Sequence, residues 1–124
     1  MTRFLIVSIL VGLLAPQMVW AAPVECFCVL YLRTRLHVEV RGDAWTIMPN
    51  ADIKYARAGD VLLFDYGGYG EDHVALITGF YQGSDLWVNI AESNFYSCKP
   101  STRTVRLNDP SVRGIYRPLS TATF

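Results

Sequence analysis

Four residues of this chain have the types and positions to do chemistry together: Cys28, His73, Glu92 and Asn94. A thiol attacks a carbonyl once an imidazole has taken its proton, and a carboxylate or amide that orients the imidazole completes the set. Cys28 stands where an amphipathic helix should begin. Val29, Leu32 and Leu36 recur at helical spacing on its flank, while Arg33 and Arg35 fall elsewhere. In a first helical turn the unpaired amides and the dipole favour an anion, which enriches the nucleophilic thiolate. Glu25 opposes this where it lies close. Taken alone, Cys28 is more readily read as a small buried apolar residue, as most free cysteines are.

His73 opens the run His73-Val74-Ala75-Leu76-Ile77-Thr78, a strand by composition. A lone histidine at such a place is most often a surface residue, but the next strand changes the reading. In Leu86-Trp87-Val88-Asn89-Ile90-Ala91-Glu92-Ser93-Asn94, alternation puts Val88, Ile90, Glu92 and Asn94 on one face, so an acid and an amide continue an apolar stripe. A carboxylate turned toward a core must be paired or it becomes neutral. The imidazole of His73 is one partner for Glu92, and an arginine such as Arg103 or Arg106 is the competing one. If the two strands form a hairpin around Gly83-Ser84-Asp85, His73 meets the face of Glu92 and Asn94 at one end of the sheet. Asp72, directly before His73, is a second acid able to raise the imidazole pKa. His37 is a poor base for Cys28, since nine residues of continuous helix carry it to the opposite side.

A helix, a sheet and several turns must bring these groups together. In Gly42-Asp43-Ala44-Trp45 the spacing predicts that Gly42 ends the first helix, Asp43 caps a short second one, and Trp45 enters the core. Gly59-Asp60 makes a turn into Val61-Leu62-Leu63-Phe64, a continuous apolar run predicted to be the central strand, covered on both faces. Asp65 to Asp72, with Gly67, Gly68, Gly70, Tyr66 and Tyr69, reads as a hairpin connection or as the wall of a binding groove. Thr102 to Leu107 and Gly114 to Arg117 are expected as late strands, with residues 119–124 a frayed tail. The fold class this predicts is α+β.

Arg3 followed by the apolar stretch Phe4 to Leu14, then Pro16 and Val19-Trp20-Ala21, reads as a cleaved secretory signal over residues 1–21. The stretch is shorter than the roughly 18 apolar residues that span a bilayer. Residues 22–118 then make one domain, exported to the periplasm or beyond the cell. The chain carries 11 basic and 11 acidic residues, of which the signal holds only Arg3. Such a balance gives no electrostatic footprint for nucleic acid or an anionic membrane. Three cysteines in an exported chain invite one pair and one free thiol. Cys28 is the one left free, so Cys26 and Cys98 can pair if the segment after Asn94 returns to the helix start. A metal site is the weaker alternative, because His37 and His73 show no ligand spacing with the cysteines.

The order of these segments resembles the CHAP domain, the cysteine- and histidine-dependent amidohydrolases and peptidases of the papain-like superfamily. Cys28-Val29-Leu30-Tyr31-Leu32-Arg33 is similar to the family's nucleophile helix, and Gly42-Asp43-Ala44-Trp45 to the segment after it. Gly59-Asp60-Val61-Leu62-Leu63-Phe64, His73-Val74-Ala75-Leu76-Ile77 and Glu92-Ser93-Asn94 are similar to the strand before the histidine, the histidine strand, and the acid and amide that close the site. The resemblance implies a nucleophile helix packed on a small bent antiparallel sheet. It implies Cys28 as nucleophile, His73 as base, and Glu92 or Asn94 as third member, with no cofactor. The implied substrate is an amide of peptidoglycan or its stem peptides, and an inhibitor or immunity protein is a partner such an enzyme can have. The alternative is a non-catalytic wall-binding or interaction domain that keeps the fold.

Overall fold

The computed structural model describes residues 22–67 and 72–119. The expected signal segment, the loop residues 68–71 and the end of the tail lie outside them. Among the described residues are one α-helix, α1 (Cys28–Arg35), and five strands: β1 (Val61–Asp65), β2 (Asp72–Phe80), β3 (Trp87–Ser93), β4 (Pro100–Arg106) and β5 (Val112–Tyr116). The strands form one antiparallel sheet in the order β4-β3-β2-β1-β5. The architecture is α+β.

The pleat of β1 explains how both faces are filled. Val61 and Leu63 point to one side, where Val29, Tyr31 and Leu32 of α1 join Val38, Val40, Ile47 and Val74. Leu62 and Phe64 point to the other, into a second core built from Ala75, Ile77, Val88, Ile90, Val105 and Ile115. Ala51, Ile53 and Ala56, from the connection before β1, pack against this second core. Every β1 residue from Val61 to Phe64 is buried, as its unbroken apolar run predicts. The central position belongs to β2, however, not to β1. The order is decided by β5 returning from the far end of the chain to pair with β1, which no local pattern records.

Three other expectations are corrected. The first helix ends before Gly42: His37 takes a left-handed φ of 57°, and the Val38 N–H closes back on the Leu32 carbonyl at 3.0 Å. The side chain of Asp43 caps nothing, and Trp45 is 61% exposed. Its segment, Ala44–Thr46, is a single 3-10 turn, which has no inner face to bury an indole; Ala44 and Ile47 contact the core instead.

The connections are clamped by two arginines of the C-terminal segment. The Arg113 guanidinium donates to the carbonyls of Ile47 and Ala44, each at 2.7 Å. Arg117 donates to both oxygens of the buried Asp60 carboxylate, at 2.8 and 2.9 Å, and to the Tyr55 carbonyl. Gly114 has φ +147°, and a Cβ there would stand 2.6 Å from Cγ of Pro49, so the connection crosses β5 where no side chain intervenes.

With eight residues and no side-chain cap, α1 is too short to be stable by itself and depends on tertiary ties. The longest-range of these is the disulfide between Cys26 and Cys98, 72 residues apart in sequence. Cys28 remains free. On chain-entropy grounds, joint replacement Cys26→Ser and Cys98→Ser is expected to lower stability by about 2–5 kcal/mol, measured by urea unfolding. A double variant as stable as the parent would show that the remaining ties hold the helix start unaided.

Candidate active site

Cys28 is the first residue of α1, His73 the second of β2, and Glu92 the last but one of β3. Alternation turns Glu92 inward after Val88 and Ile90, and the carboxylate is fully buried. Its Oε1 lies 2.8 Å from Nε2 of His73, itself buried. The ionised carboxylate can only accept, so Nε2 carries the hydrogen and donates it. That leaves Nδ1 as the ring nitrogen not engaged by the carboxylate, and Cys28 is among the groups that act on the charge of the same ring. His73 is thus joined to the carboxylate by a direct hydrogen bond and lies within electrostatic reach of the thiol.

Glu92 also takes the arginine that the sequence offers as a competing partner. Arg103 Nε donates to Oε2 at 2.6 Å and its Nη2 to Oε1 at 3.2 Å. Both partnerships hold at once, because a carboxylate has two oxygens and room for several donors. Alternation within Thr102 to Leu107 carries a signal for this, since Arg103 shares a strand face with the core residues Val105 and Leu107. Phe95 and Tyr66 complete the surroundings: their rings lie 5.7 and 6.5 Å from that of His73. Tyr66 also stacks on Phe64 at 5.5 Å. For Phe95, in the turn between two strands, no pattern pointed to this place.

Asn94 does not continue the face of Glu92. The strand ends at Ser93, and Asn94 takes a left-handed φ of 62°. Its Nδ2 donates to the Cys26 carbonyl at 2.7 Å, while Ser93 Oγ donates to the Glu25 carbonyl at 2.7 Å. Together with the disulfide, these bonds tie the end of β3 and the turn after it to the segment just before Cys28. Three consecutive residues thus serve both halves of the site: Glu92 holds the imidazole, and Ser93 and Asn94 hold the backbone that presents the thiol. Glu25, two residues before Phe27, is paired with Arg35 Nε at 3.2 Å.

Burial by itself would lower the pKa of His73, but hydrogen bonds to Cys28 and Glu92, with their negative charge, raise it above the ordinary imidazole value. Burial would conversely raise Glu92, yet the hydrogen bonds and positive charge of His73 and Arg103 hold it below the ordinary carboxylate value. Neighbouring strand residues point to opposite faces, and the Asp72 carboxylate is 3.7 Å from Arg113 Nε.

A cleft of about 440 Å³ opens beside the thiol, lined by Phe27, Cys28, Arg33, Asp43, Asp72 and Asn94. Larger hollows of about 530 and 470 Å³ lie around Ile47 and Met48 and around Leu36 and Arg117. They contain no candidate catalytic group, so chemistry rather than size marks the site. Comparison with protein-family models, curated proteins and solved structures finds no significant match to this chain.

The two shifts make opposite contributions to pH-dependent stability. His73, raised, stabilises fully below the unfolded imidazole value of about 6.5 and loses this as pH climbs through its folded value. Glu92, lowered, stabilises fully above the unfolded carboxylate value of about 4.5 and loses this as pH falls through its folded value. The pair should therefore contribute most between roughly pH 4.5 and 6.5. Glu92→Gln is expected to move the His73 titration, followed by imidazole NMR, to lower pH, and to remove most stability relative to the parent inside that window. An unmoved titration would mean that Glu92 does not support the imidazolium.

Proposed function

We propose that this chain is an exported cysteine amidohydrolase or peptidase of the CHAP type, with a papain-like fold, that cleaves an amide bond of peptidoglycan. The observation that carries the reading is a buried imidazole hydrogen-bonded to a buried carboxylate, with a free thiol at a helix start near enough to act on its charge. The order of segments in the sequence, which resembles that family over most of residues 22–118, supports the substrate class. The signal-like residues 1–21 support a periplasmic or secreted location.

In this reading His73 takes the proton of Cys28 through Nδ1, or the two rest as an ion pair, and the thiolate attacks the amide carbonyl. The amide of Cys28 precedes the first intrahelical bond, which runs from the Tyr31 N–H to the Phe27 carbonyl at 2.8 Å. Such a first-turn amide is free to donate to the developing oxyanion. The imidazolium then protonates the leaving amine, and water attacking the thioester releases the acyl group and regenerates the thiol. Glu92 keeps the ring in the tautomer that offers Nδ1 to sulfur. Asn94 acts on the nucleophile side, through the carbonyl of Cys26. The reaction calls for no cofactor.

The test is incubation of the mature chain with purified peptidoglycan of several chemistries, with released fragments identified by mass. Cys28→Ala and His73→Ala are each expected to reduce release by on the order of 10⁴-fold. Asn94→Ala should cost less, about 10-fold or more, since it removes one positioning hydrogen bond and no reacting group. If a folded parent releases nothing from any wall, the non-catalytic binding domain takes precedence over the enzyme.

A further inference from the structure

Arg103 sits on β4 opposite Ile90, and so on the sheet face that carries Glu92 two residues further along β3. Its guanidinium contacts the carboxylate and three of the rings around it. Nε and Nη2 donate to the two oxygens of Glu92, and Nη2 also donates to the Tyr66 hydroxyl at 3.0 Å. The guanidinium carbon lies 3.7 Å from the Phe95 ring centroid and 5.2 Å from that of Phe64. One oxygen, Oε1, accepts from Arg103 and from His73 together.

We propose that Arg103 is a positioning residue for the hydrolase reaction: by holding Glu92 in one orientation and one charge state, it sets the pH at which His73 passes from imidazolium to neutral base. The word reaction rests on the cysteine-hydrolase reading above; the coupling between Arg103 and His73 does not. A fork of two donors fits a carboxylate as a single ammonium cannot, and the aromatic rings on either side leave the guanidinium little freedom to turn. Arg103 also ties Tyr66, the residue entering the glycine-rich connection to His73, to the same carboxylate.

The sign of the effect distinguishes this role from simple packing. The groups facing His73 are Cys28 from α1, Glu92 from β3, and the rings of Phe64, Tyr66 and Phe95; its neighbour Asp72 is paired with Arg113 of β5. Among the described residues Arg103 and His73 are the cationic partners of Glu92. Removing the fixed positive charge of Arg103 makes the Glu92–His73 pair hold its shared proton more tightly, so the titration of His73 moves to higher pH. Were Arg103 merely a prop, its loss would loosen the site, and His73 would drift down toward the value of a histidine in water.

The experiment follows the His73 imidazole by NMR across pH, together with the pH dependence of Cys28 alkylation by iodoacetamide, in the full mature chain, Arg103→Gln and Arg103→Lys. Neither readout needs a substrate. The proposal expects the Gln variant to titrate above the parent and its alkylation profile to move with it, while the Lys variant, which keeps the charge, returns toward the parent. A Gln variant that titrates at or below the parent overturns it, as does a Lys variant that titrates like Gln. A parent that digests no wall, with a Gln variant that still titrates above it, keeps the coupling and removes only the hydrolase reading.

Discussion

The site depends on one buried charge. Glu92 is taken wholly out of water, and an ionised carboxylate in that position destabilises a fold by several kcal/mol unless hydrogen-bonded cations answer it. His73 on one strand and Arg103 on another supply the answer, so the carboxylate draws β2 and β4 toward the same point on β3. The aromatic rings follow from this. Phe64, Tyr66 and Phe95 lie against the two cations, excluding solvent from the pair and strengthening its electrostatics. Had the position held an apolar residue, the second core would continue undisturbed and neither partner would have reason to turn inward.

The free thiol of Cys28 is held by a different kind of constraint. A helix of eight residues does not place its own first residue reliably, because end turns fray and this one lacks a side-chain cap. Here the placement comes from outside the helix: two side-chain bonds to carbonyls and a disulfide, all to the turn that follows Glu92. The residues that set the imidazole and those that set the thiol are adjacent in the chain. A displacement of the end of β3 therefore moves both halves of the site in concert, which keeps their separation insensitive to small deformations elsewhere.

How much of this could be read in advance follows from how local each determinant is. The inward turn of Glu92 is a period-two pattern within one strand, and the apolar run of Val61 to Phe64 is a composition signal; both are visible in a few consecutive residues. The strand order is not, because β5 pairs with β1 across nearly half the chain. Asn94 was placed on the face of Glu92 by extending the alternation one step beyond where the strand stops, and a left-handed residue there breaks the period. Trp45 was placed in the core by residue type, but burial is decided by whether a segment has an inner face, and a single 3-10 turn does not. The choice between His73 and Arg103 as partner of Glu92 was posed as exclusive. A residue with two acceptor oxygens does not impose such a choice.

That double partnership bears on where the proton goes in the proposed hydrolysis. When the thiol gives up its proton in this reading, the imidazolium sits between a thiolate and a carboxylate, and a carboxylate bonded to histidine alone competes for the proton. Arg103 opposes this, because protonating Glu92 would strand a guanidinium against a neutral acid in a poorly solvated place. The hydrogen on Nε2 therefore stays on the ring, shared in a bond but not transferred, and the second proton remains at Nδ1, the nitrogen the carboxylate does not engage. A leaving amine formed over Cys28 is met from that same nitrogen. A carboxylate that is held ionised is thus more useful to the reaction than a more basic one would be: it stabilises the imidazolium without competing for the proton the chemistry must deliver.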